Sequence, residues 1–120
     1  MIRFITCLRR RPEFTLAQFR EAWESPAFDS LIRRTAEMTG ALHSVKSATL
    51  AVDANALVQL NRGTEDPFDG VLEYFLPSAA SLREVAAREE FWDLQREMVA
   101  HQERFADLTH SVAFFTESDQ

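Results

Sequence analysis

Residues 2–8 (IRFITCL), 71–76 (VLEYFL) and 112–116 (VAFFT) are apolar at consecutive positions rather than at alternate ones. A strand with one solvated face shows polar residues at every second position, so these three runs predict strands covered on both faces. Between them the apolar period changes from two to helical spacing. Leu16, Phe19 and Trp23 form one set, and beyond Pro26 the set Phe28, Leu31, Ile32, Thr35 and Met38 continues in a shifted phase. Thr15 and Gln18 have the form of a capping box, which starts the helix at Leu16, and Ser25-Pro26 marks a kink or restart. Gly40 suits the helix end. Residues 41–52 read as the most polar strand, hence an edge. After the turn at Asp69-Gly70 and the third strand, Pro77-Ser78 stops the sheet and caps a second helical stretch. Its apolar positions, Leu82, Val85 and Ala86, then Phe91, Leu94, Met98 and Phe105, slip in phase at residues 88–90 and predict two pieces.

The order is therefore βαββαβ. The helical stretches can cover only one face of the sheet, so the pattern predicts that the other face packs on a second copy of itself, giving a homodimer. Residues 53–69 form a long, acidic connection around Ala56, Leu57, Val58 and Leu60. Connections of this length are uncommon in small domains unless they have a function or are mobile. A short helix over 55–61 is expected within it.

Composition changes this picture little. Length and a 46% hydrophobic content with ten Phe predict a single domain over 1–120 without covalent staples. Cys7 is the only cysteine, which excludes an internal disulfide framework. The net charge of −6 is unevenly placed: residues 1–60 carry eight basic against six acidic residues, and residues 61–120 carry five against thirteen. An acidic second half repels phosphate backbones, so nucleic acid is not an expected partner. No apolar stretch approaches the roughly 20 residues that span a bilayer, and Arg9, Arg10 and Arg11 follow an apolar start, the reverse of a signal peptide. These features predict no membrane association and a cytoplasmic location. There is no Gly-rich phosphate loop, nucleophile elbow, CxxC or HExxH, so no bound cofactor or metal is expected.

The run Leu8 to Trp23 (LRRRPEFTLAQFREAW) resembles the opening of the EthD-like family, named for ethyl tert-butyl ether degradation, within the dimeric α/β-barrel superfamily. Residues 68–75 (FDGVLEYF) and the ending Arg104, Phe105 and Asp107 before Thr109, His110, Ser111, Val112 and Phe114 are similar to that family's pattern as well. The resemblance implies an α+β, ferredoxin-like antiparallel sheet that pairs face to face into a dimeric α/β barrel. One departure stands out. Family members usually carry a His four residues after the helix Trp, whereas Trp23 is followed by Glu24, Ser25, Pro26 and Ala27.

Glu73 is the sharpest candidate for chemistry, because it interrupts an apolar strand between Val71 and Phe75. A carboxyl taken out of water favours its neutral form, which suits a general acid or base, and the family pattern also has Glu there. The plainer reading is a structural carboxylate paired with Arg3 or bonded across the dimer. His43 and Lys46 lie on opposite faces of the second strand. His43, beside Val45 and Ser47, could shuttle protons, and Lys46 is the only lysine open to Schiff-base chemistry. His101 stands one turn after Glu97, a spacing at which a carboxylate can orient an imidazole for a metal or a haem iron. His110 is expected at the start of the last strand. Trp23, Tyr74 and Phe19, with Phe91 and Trp92, are candidate walls of an aromatic pocket or plain core, and Thr6 on the first strand is a further candidate ligand contact. Cys7, on the face of Ile5, is expected to be an inert buried thiol.

The expectation from sequence is a small protein acting on a hydrophobic, aromatic metabolite by cofactor-free acid-base chemistry of isomerase, cyclase or oxygenase type, with Glu73, His43 and His101 catalytic. The alternatives are a non-catalytic binding or accessory protein, and a haem-binding protein that uses His101 or His110.

Overall fold

Four antiparallel strands in the order β2-β3-β1-β4 form one sheet in the computed structural model, which describes residues 1–119. Along the chain the elements are β1 (Ile2–Leu8), α1 (Leu16–Trp23), α2 (Pro26–Thr39), β2 (His43–Ala48), α3 (Asp53–Arg62), β3 (Gly70–Leu76), α4 (Ala79–Ala86), α5 (Glu89–Gln102) and β4 (Val112–Glu117). This is a ferredoxin-like α+β arrangement in which each crossover helix is split in two and an additional helix joins β2 to β3. No helix among the described residues is long and apolar enough to cross a membrane.

Local signals account for the breaks. Thr15 and Gln18 close the capping box at the start of α1, Ser25 accepts from the Phe28 N–H with Pro26 in the first turn of α2, and Ser78 caps α4. Gly40 ends α2 in the left-handed conformation, φ 66°, where a side chain would be strained. The second strand is shorter than its sequence suggests. The Ala41 N–H is taken by the Ala36 carbonyl at the helix end, and beyond Ala48 the Thr49 N–H makes the last bond across to β3, at the Asp69 carbonyl. The helix in the long connection extends beyond the expected 55–61 at both ends, and Gly63 stops it in the left-handed region. His110 lies in a 3₁₀ turn (Leu108–His110) before β4 rather than on the strand.

The two central strands set the layers. On β3, Gly70, Leu72, Tyr74 and Leu76 are buried and alternate with half-buried Val71, Glu73 and Phe75; on β1, Ile2, Thr6 and Leu8 are buried with Phe4 between them, against Arg3, Ile5 and Cys7 on the other side. The buried set packs on the helices around Phe19, Trp23, Phe28, Leu31, Ile32, Leu94, Met98 and Phe105. The other face has no helix over it among the described residues. Register brings Val45 of β2 and Val112 and Phe114 of β4 to that same open face, where all three are exposed. Edge strand β4 is exposed on its helix side too, at Ala113 and Phe115.

Candidate functional site

Between the sheet and helices α2 and α5 lies a cavity of about 80 Å³, partly open to solvent. Thr6, Leu72 and Tyr74 form its floor, Thr35 of α2 and Met98 and Gln102 of α5 its walls, and Gln95, Val99 and Ala113 stand towards its exposed side. Strand alternation delivers the floor. Thr6 and Tyr74 share the helix-facing side of neighbouring strands, and Phe4, which pairs with Tyr74 in register, stacks near its ring at 6.0 Å.

Two polar atoms in this lining are buried without a hydrogen-bond partner in the protein: the Tyr74 hydroxyl and Gln95 Nε2. Buried polar groups are nearly always paired, so two on one small cavity are unusual. Thr35 is beside Tyr74; its hydroxyl gives its own proton to the Leu31 carbonyl at 2.8 Å, so towards Tyr74 it could only accept, and no hydrogen bond of good geometry forms between them. Burial pushes the Tyr74 phenol well above its ordinary range, and the Thr35 hydroxyl offsets this only in part, so at neutral pH Tyr74 remains a proton donor.

The other candidates lie elsewhere. Glu73 is on the open face, 3.5 Å from Arg3, and His43 lies two strands from Arg3 on that face with its ring stacked on Phe75 at 4.0 Å. The sheet thus separates Glu73 and His43 from Tyr74, Thr6 and the cavity. Lys46 is on the helix side, its ammonium held by the Trp23 carbonyl at 2.7 Å and Asp29 at 2.6 Å. Phe19 and Trp23 stack at 5.6 Å deep in the core, away from the cavity lining, and Trp92 is exposed, donating to the Ala86 carbonyl. Cys7 is half-buried on the open face, where burial and the nearby Glu73 charge raise its pKa.

The expected Glu97–His101 pair does not form. Glu97 is gripped by both terminal nitrogens of Arg34 at 2.9 and 3.0 Å, and a bidentate guanidinium outcompetes an imidazole for a carboxylate. His101 instead lies between the rings of Phe28 and Phe105, with Nε2 buried and unpartnered, and burial together with the Arg104 charge lowers its pKa. His110 bonds Asp107 at 2.7 Å in an exposed turn. Among the described residues no three His, Cys, Asp or Glu side chains come together as a metal-binding set.

Gln95, Gln102 and Thr35 were not evident as site residues from sequence. The only local signal was a polar residue in phase with an apolar helical stripe, as Gln102 is with Leu94 and Met98.

No family model and no curated protein matches the chain. Solved structures do. An ethyl tert-butyl ether degradation (EthD) family protein from Bacillus halodurans superposes with a TM-score of 0.60 at 16% identity, over 98% of this chain and 99% of that one. This chain has the EthD-like fold. A dimeric protein of unknown function and ferredoxin-like fold from Bacteroides fragilis shares that fold with a TM-score of 0.59 at 7% identity, over 98% and 95% of the two chains. So does SnoaB of Streptomyces nogalater, a cofactor-independent oxygenase, with a TM-score of 0.54 at 12% identity over 99% and 93%. Such identities speak for the EthD-like fold and not for the reaction.

Proposed function

We propose that the protein is a homodimer paired through the open faces of its sheets, and that each protomer holds a small, mostly apolar molecule by a carbonyl or phenolic oxygen in the cavity between sheet and helices. The observation that carries this is the pair of unpartnered buried donors, Tyr74 Oη and Gln95 Nε2, lining one cavity. Two neutral donors whose own atoms are out of water suit one acceptor oxygen, and they hold an enolate or phenolate more strongly than a neutral carbonyl. This is the electrostatic part of cofactor-free chemistry. The cofactor-independent oxygenase of the same fold is consistent with it.

Among the described residues that line the cavity, Tyr74 is the only titratable one. Proton transfer at the bound oxygen would therefore run through Tyr74, not through Glu73 or His43 across the sheet. Ligand pockets commonly measure about 300–1,000 Å³, so a cavity of about 80 Å³ takes only the oxygen-bearing end of a ring system. The remainder of the molecule extends past Val99 and Ala113. Dimerisation is supported by the apolar open face and by a dimeric protein among the structural neighbours.

A panel of small aromatic ketones and phenols, each paired with its deoxygenated analogue, tests the reading by thermal shift and calorimetry. Oxygenated members should stabilise the protein, and Tyr74→Phe combined with Gln95→Leu should erase the preference. Equal binding of both members of each pair by the native protein would overturn it.

A further inference from the structure

We propose that α3 of each protomer lies across the mouth of its partner's cavity, so that the ligand site is completed only in the dimer. This rests on the pairing and the cavity proposed above.

Helix α3 has no buried residue, and Leu57 and Leu60 are 66% and 80% exposed, with Leu50, Val52 and Val58 exposed beside them. A ten-residue helix is marginal in water by itself, and in a folded protein its apolar side requires a surface. The protomer's own body does not supply one. The bonds that fix the connection are polar and lie at its base, Thr49 to the Phe68 and Asp69 carbonyls and Arg9 to the Asp66 carbonyl at 3.1 Å, while Gln59 to Asp66 at 2.8 Å is internal to it. The radius of gyration is 15.2 Å, against about 14 Å for a compact domain of this length. An element that projects from the body accounts for the excess.

The sheet shows where it reaches. The connection leaves at Ala48 and returns at Gly70, the end of the sheet where Leu8 and Val112 also stand. When two open faces close on each other, edge β2 of one protomer comes beside edge β4 of the other. Running antiparallel, as all neighbours in the sheet do, the Ala48 end of β2 meets the beginning of the partner's β4. From there α3 overlies the helix side of that strand, where the partner's Ala113 and the partner's Phe115 are exposed next to the partner's Val99 at the cavity mouth. This explains why β4 is apolar and uncovered on both sides: a second sheet covers Val112 and Phe114, and a second α3 covers Ala113 and Phe115. Lengths agree, since ten helical residues span about 15 Å and six strand residues about 20 Å. Leu57 and Leu60 would then face the apolar end of a ligand whose oxygen sits deep in the cavity.

Incorporating p-benzoylphenylalanine in place of Leu60 in the full-length chain tests this. Irradiation should give a covalent species of twice the chain mass, with the crosslink mapped to residues 95–99 or 112–115 of the other protomer. Crosslinks within one chain, crosslinks to another surface, or none in a protein that sediments as a dimer would overturn the clasp while leaving the dimer standing. A native protein that sediments as a monomer removes the dimer reading itself. Hydrogen exchange gives a second readout that does not depend on crosslinking geometry. Amides of 54–62 should exchange at least about tenfold more slowly in the native dimer than in a Phe114→Asp monomer, and equal rates would also overturn the clasp.

Discussion

The Arg3 guanidinium and the Glu73 carboxylate face each other at 3.5 Å on the side of the sheet away from the cavity, with Arg3 also lying 4.8 Å over the Phe75 ring. In a lone protomer both are partly solvated, and such a pair contributes less than about 1 kcal/mol. Closing a second sheet over it changes the magnitude. Removing one member of a buried pair leaves a charge out of water and costs about 3–5 kcal/mol. Glu73→Gln should therefore weaken dimerisation about a hundredfold or more in sedimentation equilibrium, and at concentrations where the variant is still dimeric it should leave cavity ligand affinity unchanged. Loss of ligand binding with the dimer intact would return Glu73 to the role of an acid or base.

Gly70 is required for space, not for backbone freedom. A Cβ placed there would meet three Trp23 ring carbons at 2.7–2.9 Å, and the indole is locked against Phe19 and Phe28. Gly70→Ala should destabilise the fold by about 1–3 kcal/mol, the usual cost of overpacking a filled core. Urea unfolding measures this. An unchanged midpoint would mean that the Trp23 ring can shift without cost.

Tyr74→Phe should separate stability from binding. Removing a buried hydroxyl that has no protein partner relieves a desolvation cost of about 1–3 kcal/mol, so the ligand-free variant should be as stable as the native protein or more so. Affinity for an oxygenated ring should fall about tenfold, the worth of one hydrogen bond. A variant that is both clearly less stable and unchanged in affinity would show that the hydroxyl is structural.

The lowered pKa of His101 gives a pH dependence of defined sign. Below about pH 6.5 the unfolded chain takes up a proton on this imidazole, while burial and the Arg104 charge make the folded protein resist it. The unfolded state then binds more protons, so stability is complete above that pH and declines as pH falls through it. Glu97 cannot offset the effect, since Arg34 holds it. His101→Phe, which keeps a ring between Phe28 and Phe105, should reduce the loss of melting temperature as the pH is lowered from about 7.5 to about 5.5. An identical slope in the variant would assign the dependence to other groups.

Strands β1 and β3 were legible because a run of seven residues or fewer with apolar residues on both alternating faces, closed by turn residues, is too short for a helix and too apolar for a loop. The split helices were legible because Ser25-Pro26 and Ser78 are strong start signals at a change of phase. Alternation also assigned residues to common faces. It could not say which face the helices cover, and that decides the site: Glu73 and Tyr74 are neighbours in sequence and lie on opposite sides of the sheet. Spacing along a helix likewise suggested Glu97 with His101 but could not foresee Arg34, 63 residues away, as the stronger competitor. The Gln95 and Tyr74 pair depends on how α5 crosses the sheet, which no local pattern contains.

Phe114 offers the most direct test of the open face. It stands opposite Ile5 in register, with Cys7 and Val112 paired beside it, and 45% of its surface is exposed although no helix covers that side. Against a second sheet the ring is buried, and a carboxylate in its place would face apolar residues without a partner. In an isolated protomer the same carboxylate would be hydrated and nearly harmless. Phe114→Asp should thus convert a dimer of twice 13.8 kDa into a folded 13.8 kDa particle, with helical circular dichroism retained. The two readouts distinguish an interface residue from a core residue, because a core residue would lose fold and assembly together. Native protein already sedimenting at 13.8 kDa at micromolar concentration would mean that this face is stable against water, and the barrel would have to be given up.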